Sequence, residues 1–258
     1  MIDVIAALAE QRAELEKMLA GLDGAGWATP VPRCPGWTVS DVVLHLAQTD
    51  EMCAASANGR FSDTLGTVRA GGTVDDGAAA AVEGDRGGMP SEVFARWRAA
   101  SAAQNDALAR ADPETRVPWV TNTLAPATLA TTRLAEAWIH TGDIADALGI
   151  PVVATSRLYH VAWLAWRTLP YAFQRAGQSL SGPVAVILTA PDGSEWRFGD
   201  EASATTTVTG SGEAWCLVAA LRLKVAETEL RADGPDAEAV LELVRTYAQY
   251  SFSLRVSV

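Results

Sequence analysis

Three side chains that can bind a cation or move a proton recur at helical spacing between residues 133 and 149. Glu136 and His140 are four positions apart, and Asp143 follows three positions later. In an α-helix, side chains at these spacings project from one face on consecutive turns. A carboxylate and an imidazole placed in this way can bind one divalent cation together, but two ligands do not complete a site. An ordinary salt bridge explains the same spacing, so the pair alone leaves both interpretations open.

His45 is the residue that can complete such a site. It lies within the apolar surface of a second predicted helix, where a lone histidine is by default a hydrogen-bonded core residue. Helix bundles commonly build metal sites from side chains on facing helices. Two imidazoles and one carboxylate suit zinc, or another first-row divalent ion, with an open position for water or substrate. His45, Glu136 and His140 are therefore the candidate metal ligands, and spacing alone leaves the interpretation of His45 as a core histidine open. Asp143 has three possible roles, as a fourth ligand, as a partner that orients a histidine, or as a surface acid; the orienting role is preferred, because metal-bound imidazoles usually need such an acceptor.

Other residues that carry chemistry receive weaker predictions. His160 is expected to cap or pack within a fifth helix. Most of the nine tryptophans are expected in the core, and three are predicted to form cavity walls: Trp37, Trp138 and Trp163. The cysteines are predicted to be structural, because none stands with a histidine and an orienting acid in a recognisable order: Cys34, Cys53 and Cys216. No GxGxxG, P-loop or GxSxG motif occurs, so nucleotide-binding and serine-hydrolase functions based on those motifs are excluded.

Composition and charge narrow the class of protein further. The chain has 258 residues, a formal net charge of −11, and 49% hydrophobic residues. The apolar content is ample for a buried core and argues against disorder. The negative charge disfavours nucleic-acid binding, which normally needs a basic surface. The sequence predicts neither a signal peptide nor a membrane span, so the expected location is the cytoplasm and no membrane partner is expected.

The first half of the chain is predicted to be helical. Apolar periodicity and capping residues indicate four long helices, at residues 3–22, 39–58, 92–111 and 128–148. Residues 59–90 are rich in Gly, Ala and Asp and lack periodicity. We interpret them as a mobile loop with room for one short helix, of the kind that often forms a lid.

The second half changes from helical to alternating periodicity after a fifth helix at 156–176. Strands are predicted at 183–191, 195–199 and 204–210, with a tight turn between the first two. A helix at 211–222, a strand at 227–232 and a final helix at 235–250 follow. The predicted fold class is therefore α+β, with a four-helix bundle at 1–153 and a linking helix plus small α/β domain at 154–258.

Several segments resemble a known family. The segment CPGWTVSDVVLHLAQTDE and the segment RLAEAWIHTGDIADALG are similar to the two signatures of the mycothiol-dependent maleylpyruvate isomerase family, part of the DinB-like metal-binding helical superfamily. The resemblance places His45, Glu136 and His140 at the family's metal-ligand positions. The segments VAVILTAPDGSEWRFGDE and VTGSGEAWCLVAALR resemble its small sterol-carrier-like domain. Arg222 falls where some members place an arginine that faces the cleft between domains.

The resemblance implies thiol chemistry. A zinc ion at the three ligands would bind mycothiol as a thiolate, since metal coordination lowers the pKa of a thiol. That thiolate could add reversibly to an activated alkene and isomerise it, or be transferred to an electrophile. Arg222 would then steady a carboxylate or oxyanion, and Trp37 and Trp138 would line the cofactor site. Close relatives often have extra histidines where Trp163 and Lys224 stand, which puts the namesake substrate in doubt more than the fold or metal.

Two further classes of function remain open from the sequence. The same metal could activate water without a thiol, making the protein a hydrolase, or act as a Lewis acid in a biosynthetic isomerase. Alternatively, the protein could bind a small apolar molecule without catalysis. A small-molecule partner is expected in each case, and the chain is expected to be a monomer or homodimer.

Overall fold

The computed structural model describes residues 3–61, 73–120 and 122–246. The described residues fall into two compact units, which divide between Val152 and Val153. The first unit is helical and carries one small hairpin, whereas the second combines helices with a four-stranded sheet. The predicted α+β class, a helical bundle followed by a small α/β unit, is confirmed. That each unit is an independent domain stays a prediction.

Four long helices form the framework of the described part of the first unit. They are α1 (Val4–Ala20), α3 (Val39–Ala57), α5 (Pro90–Arg110) and α6 (Pro126–Leu148). Two shorter helices lie between them, α2 (Gly24–Trp27) and α4 (Val74–Asp85). A hairpin of β1 (Val117–Trp119) and β2 (Asn122–Leu124) precedes α6. This hairpin was not predicted, because its prolines and short strands favour an irregular connection.

Local capping explains where the two functionally important helices begin and end. Thr38 and Asp41 form a reciprocal capping box that fixes the start of α3. Helix α6 begins at Pro126, where a missing N–H costs nothing. It ends at Gly149, whose positive φ of 66° lets the chain reverse at the C-terminus. These signals are local in sequence, so both helices could be predicted to within about two residues.

The segment predicted as a loop contains more regular structure than its composition suggests. Helix α4 covers 12 residues of it and starts at a capping box of Thr73 and Asp76. Its Gly and Ala residues hide the apolar period, since only Val82 is buried. The lid prediction falls largely on residues 62–72, which lie outside the described residues.

Ion pairs show how the long helices run relative to each other. Glu16 pairs with Arg98 at 2.7 Å, and four residues earlier Arg12 bonds Asn105 at 2.7 Å, so α1 and α5 are antiparallel. In the same way, Asp50 pairs with Arg133 and His45 with Glu136, so α3 and α6 are antiparallel. The core between the helices is filled by fully buried apolar side chains, among them Leu15, Leu19, Leu46, Trp97, Leu134 and Ile144. This packing brings the face of α3 with His45 against the face of α6 with Glu136.

The second unit is built on one mixed sheet. Its strands are β3 (Val184–Thr189), β4 (Glu195–Phe198), β5 (Thr206–Ser211) and β6 (Arg231–Asp233), in the order β4-β3-β5-β6. Strands β3 and β5 are parallel and the other pairs are antiparallel. Its helices are α7 (Leu158–Arg167), α8 (Leu169–Arg175), α9 (Gly212–Ala219) and α10 (Ala237–Leu243). Across all described residues, no helix is both long and apolar enough to cross a membrane.

Three helix predictions in this unit were wrong in extent, and one of them, the helix predicted at 211–222, ends at Ala219. The single helix predicted at 156–176 is two helices that meet at Thr168, because Pro170 cannot donate the hydrogen bond that would continue the first one. The final helix ends at Leu243 rather than continuing to 250. Val244 adopts an extended backbone with ψ of 133° and is fully buried, so packing overrides the helical pattern there. Residues 247–258 lie outside the described residues.

Candidate metal centre

The cluster predicted from the sequence is assembled between α3 and α6. His45 projects from α3, and Glu136 and His140 project from consecutive turns of α6. One carboxylate oxygen, Glu136 Oε1, lies 2.9 Å from His45 Nε2 and 3.4 Å from His140 Nε2. The two imidazole rings meet edge to face, with centroids 5.3 Å apart. The structure thus brings all three predicted ligands together and turns their donor atoms towards one point.

The separations between donor atoms fit a single divalent metal. Zn–N and Zn–O bonds of about 2.0–2.2 Å at tetrahedral angles put the donor atoms roughly 3.3–3.5 Å apart. The two measured separations, 2.9 and 3.4 Å, are close to that range, and one donor atom from each residue lies within 4.8 Å of the others. Borderline nitrogen donors and one carboxylate oxygen also suit zinc chemically. The residues present therefore fit such an ion with little rearrangement.

Burial and mutual contacts determine the protonation state of the cluster. Burial opposes the charge on Glu136, but hydrogen bonds from His140 and His45 outweigh it and hold the pKa of the carboxyl well below its usual value. Burial lowers the pKa of His45, more than its hydrogen bond to Glu136 raises it. Burial also acts to lower the pKa of His140, yet Asp143, Cys34 and Glu136 together raise it well above the ordinary value. The surroundings therefore favour the ionised form of the Glu136 carboxyl, the neutral form of the His45 ring and the protonated form of the His140 ring.

Two residues surround the other nitrogen of His140. Asp143 Oδ2 lies 3.1 Å from His140 Nδ1, and Asp143 is only 2% exposed. Cys34 Sγ lies 3.7 Å from the same carboxylate oxygen and 3.9 Å from Nδ1. Asp143 can therefore accept the Nδ1 proton and leave Nε2 turned towards Glu136, the orienting role that the sequence suggested. Cys34 was not predicted to lie at the site. The signal that could have placed it there is its position shortly before the capping box that fixes the start of α3.

The two tryptophans predicted to line the site occupy different positions. The Trp37 ring lies 5.3 Å from the His45 ring, so it is next to the cluster. Trp138 is half-buried on α6. It stands two residues from both Glu136 and His140, about 200° round the helix axis from each. A role for either tryptophan in binding a cofactor stays a prediction.

The remaining candidates lie in the second unit. His160 is buried on α7 beside the Tyr159 ring. Leu221, just after α9, adopts a left-handed backbone with φ of 60°, and the next residue, Arg222, donates from Nη1 to the Ala220 carbonyl at 2.9 Å. Trp163 is half-buried and Lys224 is exposed. The predicted role of Arg222 towards substrate remains a prediction.

Sequence reasoning missed a buried ionic network one helical turn from the cluster. Asp50 Oδ1 on α3 accepts contacts from two guanidinium groups, Arg12 at 2.8 Å and Arg133 at 3.1 Å. All three side chains are at most 6% exposed. Arg133 also donates to Thr49 Oγ1 at 2.7 Å. Buried charges of this kind are tolerated only when they are paired.

These observations define a helical bundle that bears a two-histidine, one-glutamate cluster and is followed by a small α/β unit. A model of the mycothiol maleylpyruvate isomerase N-terminal domain matches residues 8–145, which include the whole cluster. The chain belongs to this family.

The chain is also similar to other whole proteins and to solved structures. Two uncharacterized proteins of Mycobacterium tuberculosis, from strains CDC 1551 / Oshkosh and ATCC 25618 / H37Rv, are each 32% identical over 251 residues, covering 95% of both chains. Two crystal structures of the mycothiol-dependent maleylpyruvate isomerase, one of them a histidine-to-alanine mutant, share the fold with TM-scores of 0.59 and 0.57. Each match covers 91% of this chain and 94% of the chain in the crystal structure, and the sequence identities are 13% and 14%. At that identity the likeness shows the fold and not the reaction.

Proposed function

We propose that this protein is a metal-dependent enzyme that uses mycothiol as a cosubstrate, either to isomerise a small unsaturated acid or to transfer the thiol to an electrophile. The observation that carries the proposal is the convergence of two Nε2 atoms on Glu136 Oε1 at 2.9 and 3.4 Å. A hydrogen-bonded core histidine needs one partner, whereas here two histidines share a single ionised oxygen. That arrangement resembles the donor set of a metal site with one position left for a further ligand.

The three clustered residues would hold the metal, and zinc suits them best. When bound, such an ion supplies a Lewis-acid position at which a thiol ionises near neutral pH. Glu136 would contribute the negative charge, and His45 and His140 would contribute neutral nitrogen donors. Asp143 would keep the proton of His140 on Nδ1, so that Nε2 is free to coordinate. Because Asp143, Cys34 and Glu136 raise the pKa of His140 and coordination needs the neutral ring, metal uptake should release a proton and tighten as pH rises.

The rest of the assignment comes from the family and remains part of the proposal. Arg222 would hold the carboxylate of an unsaturated acid while a thiolate adds to its double bond, the resulting single bond rotates, and the thiolate leaves. Trp37 would exclude water beside His45. Residues 1–153 would act as the metal-binding domain and residues 154–258 as the domain that carries Arg222. The expected location is the cytoplasm, where low-molecular-weight thiols are kept reduced, and the expected state is a monomer or homodimer.

Dependence on the thiol is the experiment that tests this function. Zinc-loaded protein is incubated with maleylpyruvate and, separately, with an electrophilic alkyl halide, each with and without mycothiol, and products are followed by NMR. We expect turnover of at least one substrate only when both thiol and metal are present. Turnover that persists in thoroughly thiol-free buffer would contradict the thiol mechanism and support a hydrolase or thiol-independent isomerase. No conversion under any condition would favour a binding protein.

Replacing Asp143 with asparagine should weaken the metal site without destroying it. The amide keeps the shape of the side chain but removes the charge that holds the Nδ1 proton of His140. Loss of such an orienting partner typically costs about 10–100-fold in metal affinity. Competition with a chromophoric chelator measures the change. An affinity equal to that of the unaltered protein would show that Asp143 does not orient the ligand.

A further inference from the structure

The buried network next to the cluster connects the two helices that carry the ligands. Arg133 Nη2 on α6 donates to two consecutive residues of α3, Thr49 Oγ1 at 2.7 Å and Asp50 Oδ1 at 3.1 Å. Thr49 Oγ1 in turn donates to the His45 carbonyl at 3.0 Å and contacts the Leu46 carbonyl at 3.2 Å. A continuous path of hydrogen bonds therefore runs from α6, through Arg133 and Thr49, to the backbone of His45.

We propose that Arg133 is a positioning residue for the metal centre, which fixes the separation of α3 and α6 so that His45 meets Glu136 and His140 at coordination distance. The inference rests on the proposed metal site and adds to it a residue outside the ligand set. Among the described residues, the hydrogen bonds and ion pairs of the Arg133 side chain go to Thr49 and Asp50 and not to the three ligand side chains. Its effect is exerted through Asp50 and Thr49 on one helix and through its own backbone on the other.

The spacing of the contacts supports this role. Arg133 precedes Glu136 by three residues, one turn along the same face of α6, and Asp50 follows His45 by five residues on the antiparallel α3. The pairs Asp50–Arg133 and His45–Glu136 are thus successive cross-links between the same two helices. A metal site requires donor distances within about 0.2 Å of their preferred values. A small slide of one helix past the other would break the contact between His45 Nε2 and Glu136 Oε1, which spans the two helices, and the arginine cross-link resists that slide.

Charge supports the same conclusion. Arg12 and Arg133 share the single charge of Asp50, so the network retains one buried positive charge. Burial acts to lower the pKa of Arg133, but attraction to Asp50 and Glu136 outweighs it. Arg133 therefore keeps its charge in the interior, and with it the ion pair with Asp50 that joins α6 to α3.

Arg12 provides a matched control inside the same network. It is as buried as Arg133, at 5% against 4% exposed, and it contacts the same oxygen of Asp50. Its other contacts are the Ser101 carbonyl and Asn105 on α5, so it does not bridge the helices that hold the ligands. A general loss of packing would affect both arginines alike, whereas a positioning role belongs to Arg133 alone.

The test compares Arg133→Lys with Arg12→Lys, because lysine keeps the charge but is one bond shorter, so its ammonium cannot take the place of the Nη2 atom from which Arg133 bonds both Thr49 and Asp50. Affinity for Co²⁺ and Zn²⁺ is measured by chelator competition on the full chain, together with the visible spectrum of the cobalt form. We expect R133K to bind both metals about tenfold more weakly and to alter the cobalt spectrum, and R12K to stay within about twofold of the unaltered protein. Thr49→Val, which cuts the path to the His45 carbonyl, should weaken binding in the same direction and replaces R133K if that variant does not fold.

The outcomes separate the two proposals. If the unaltered protein binds no metal, the proposed function fails and this inference fails with it. If the unaltered protein binds metal and R133K, or T49V in its place, matches R12K in affinity and spectrum, only the positioning role is overturned.

Discussion

Replacing His45 with alanine should remove stoichiometric metal from the protein and abolish thiol-dependent turnover. His45 is the one proposed ligand on α3, so its loss would leave two proposed donors on one helix and no cross-helix site. Loss of a residue that only orients a ligand already lowers metal affinity by about 10–100-fold. Loss of a ligand itself should therefore lower the affinity by more than about 100-fold. Metal content after reconstitution and desalting, measured by elemental analysis, gives the result directly.

Two further variants make that measurement specific. Glu136→Gln keeps the shape of the carboxylate but not its charge, and should lose metal in the same way. His160→Gln alters a buried histidine of the second unit that is not a proposed ligand, and should retain one metal per chain. Circular dichroism must show that each variant is folded. Retention of one tightly bound ion by folded His45→Ala would be incompatible with the proposed ligand set.

Replacing Asp50 with alanine should produce a large loss of stability. Two guanidinium groups, Arg12 and Arg133, would then be buried without the carboxylate that they share. Removing one partner of a buried ion pair typically costs about 3–5 kcal/mol, because an uncompensated charge stays in the interior. Arginine cannot escape the penalty by losing its proton. Chemical denaturation of the metal-free protein, followed by circular dichroism, measures the free energy of unfolding.

An exposed acid supplies the comparison for this effect. Asp146 lies 4.0 Å from Arg33, with both side chains largely exposed. Asp146→Ala should change the free energy of unfolding by less than about 1 kcal/mol, as is usual for a surface ion pair. A similarly small change for Asp50→Ala would mean that the arginines find other partners or water, and that the network is not a structural requirement.

The clustering of His45, Glu136 and His140 could be predicted because the signals for it are local or repeated. Glu136 and His140 share a helix face by spacing alone, and the capping box of Thr38 and Asp41 fixes the register of the helix that carries His45. The predicted helical bundle also implied that those two helices face each other. The family resemblance supplied the same three residues independently.

The contacts around the cluster were not predictable in the same way. Arg12 meets Asp50 and Ser101 across 38 and 89 residues of sequence, and no periodicity signals which buried charges will share a partner. Cys34 reaches Asp143 across 109 residues, from a proline-rich loop whose path depends on tertiary packing. Long-range polar contacts of this kind are determined by packing and burial, which a single sequence does not specify.

Helix ends show the same division between local and tertiary causes. Gly149 ends α6 through a left-handed backbone that the sequence signals clearly. Val244, by contrast, leaves the helical conformation because its side chain is buried in the core of the second unit. The sequence pattern therefore predicted the first end correctly and extended the last helix too far.

The most direct test of the account uses the absorption spectrum of the cobalt-substituted protein during titration with mycothiol. If the cluster of His45, Glu136 and His140 holds a metal with a position open to the thiol, a sulfur-to-cobalt charge-transfer band should grow and saturate at one thiol per chain. Folded His45→Ala should show no such band. Saturating mycothiol that leaves the spectrum of cobalt-loaded protein unchanged would contradict the claim that this centre binds the thiol.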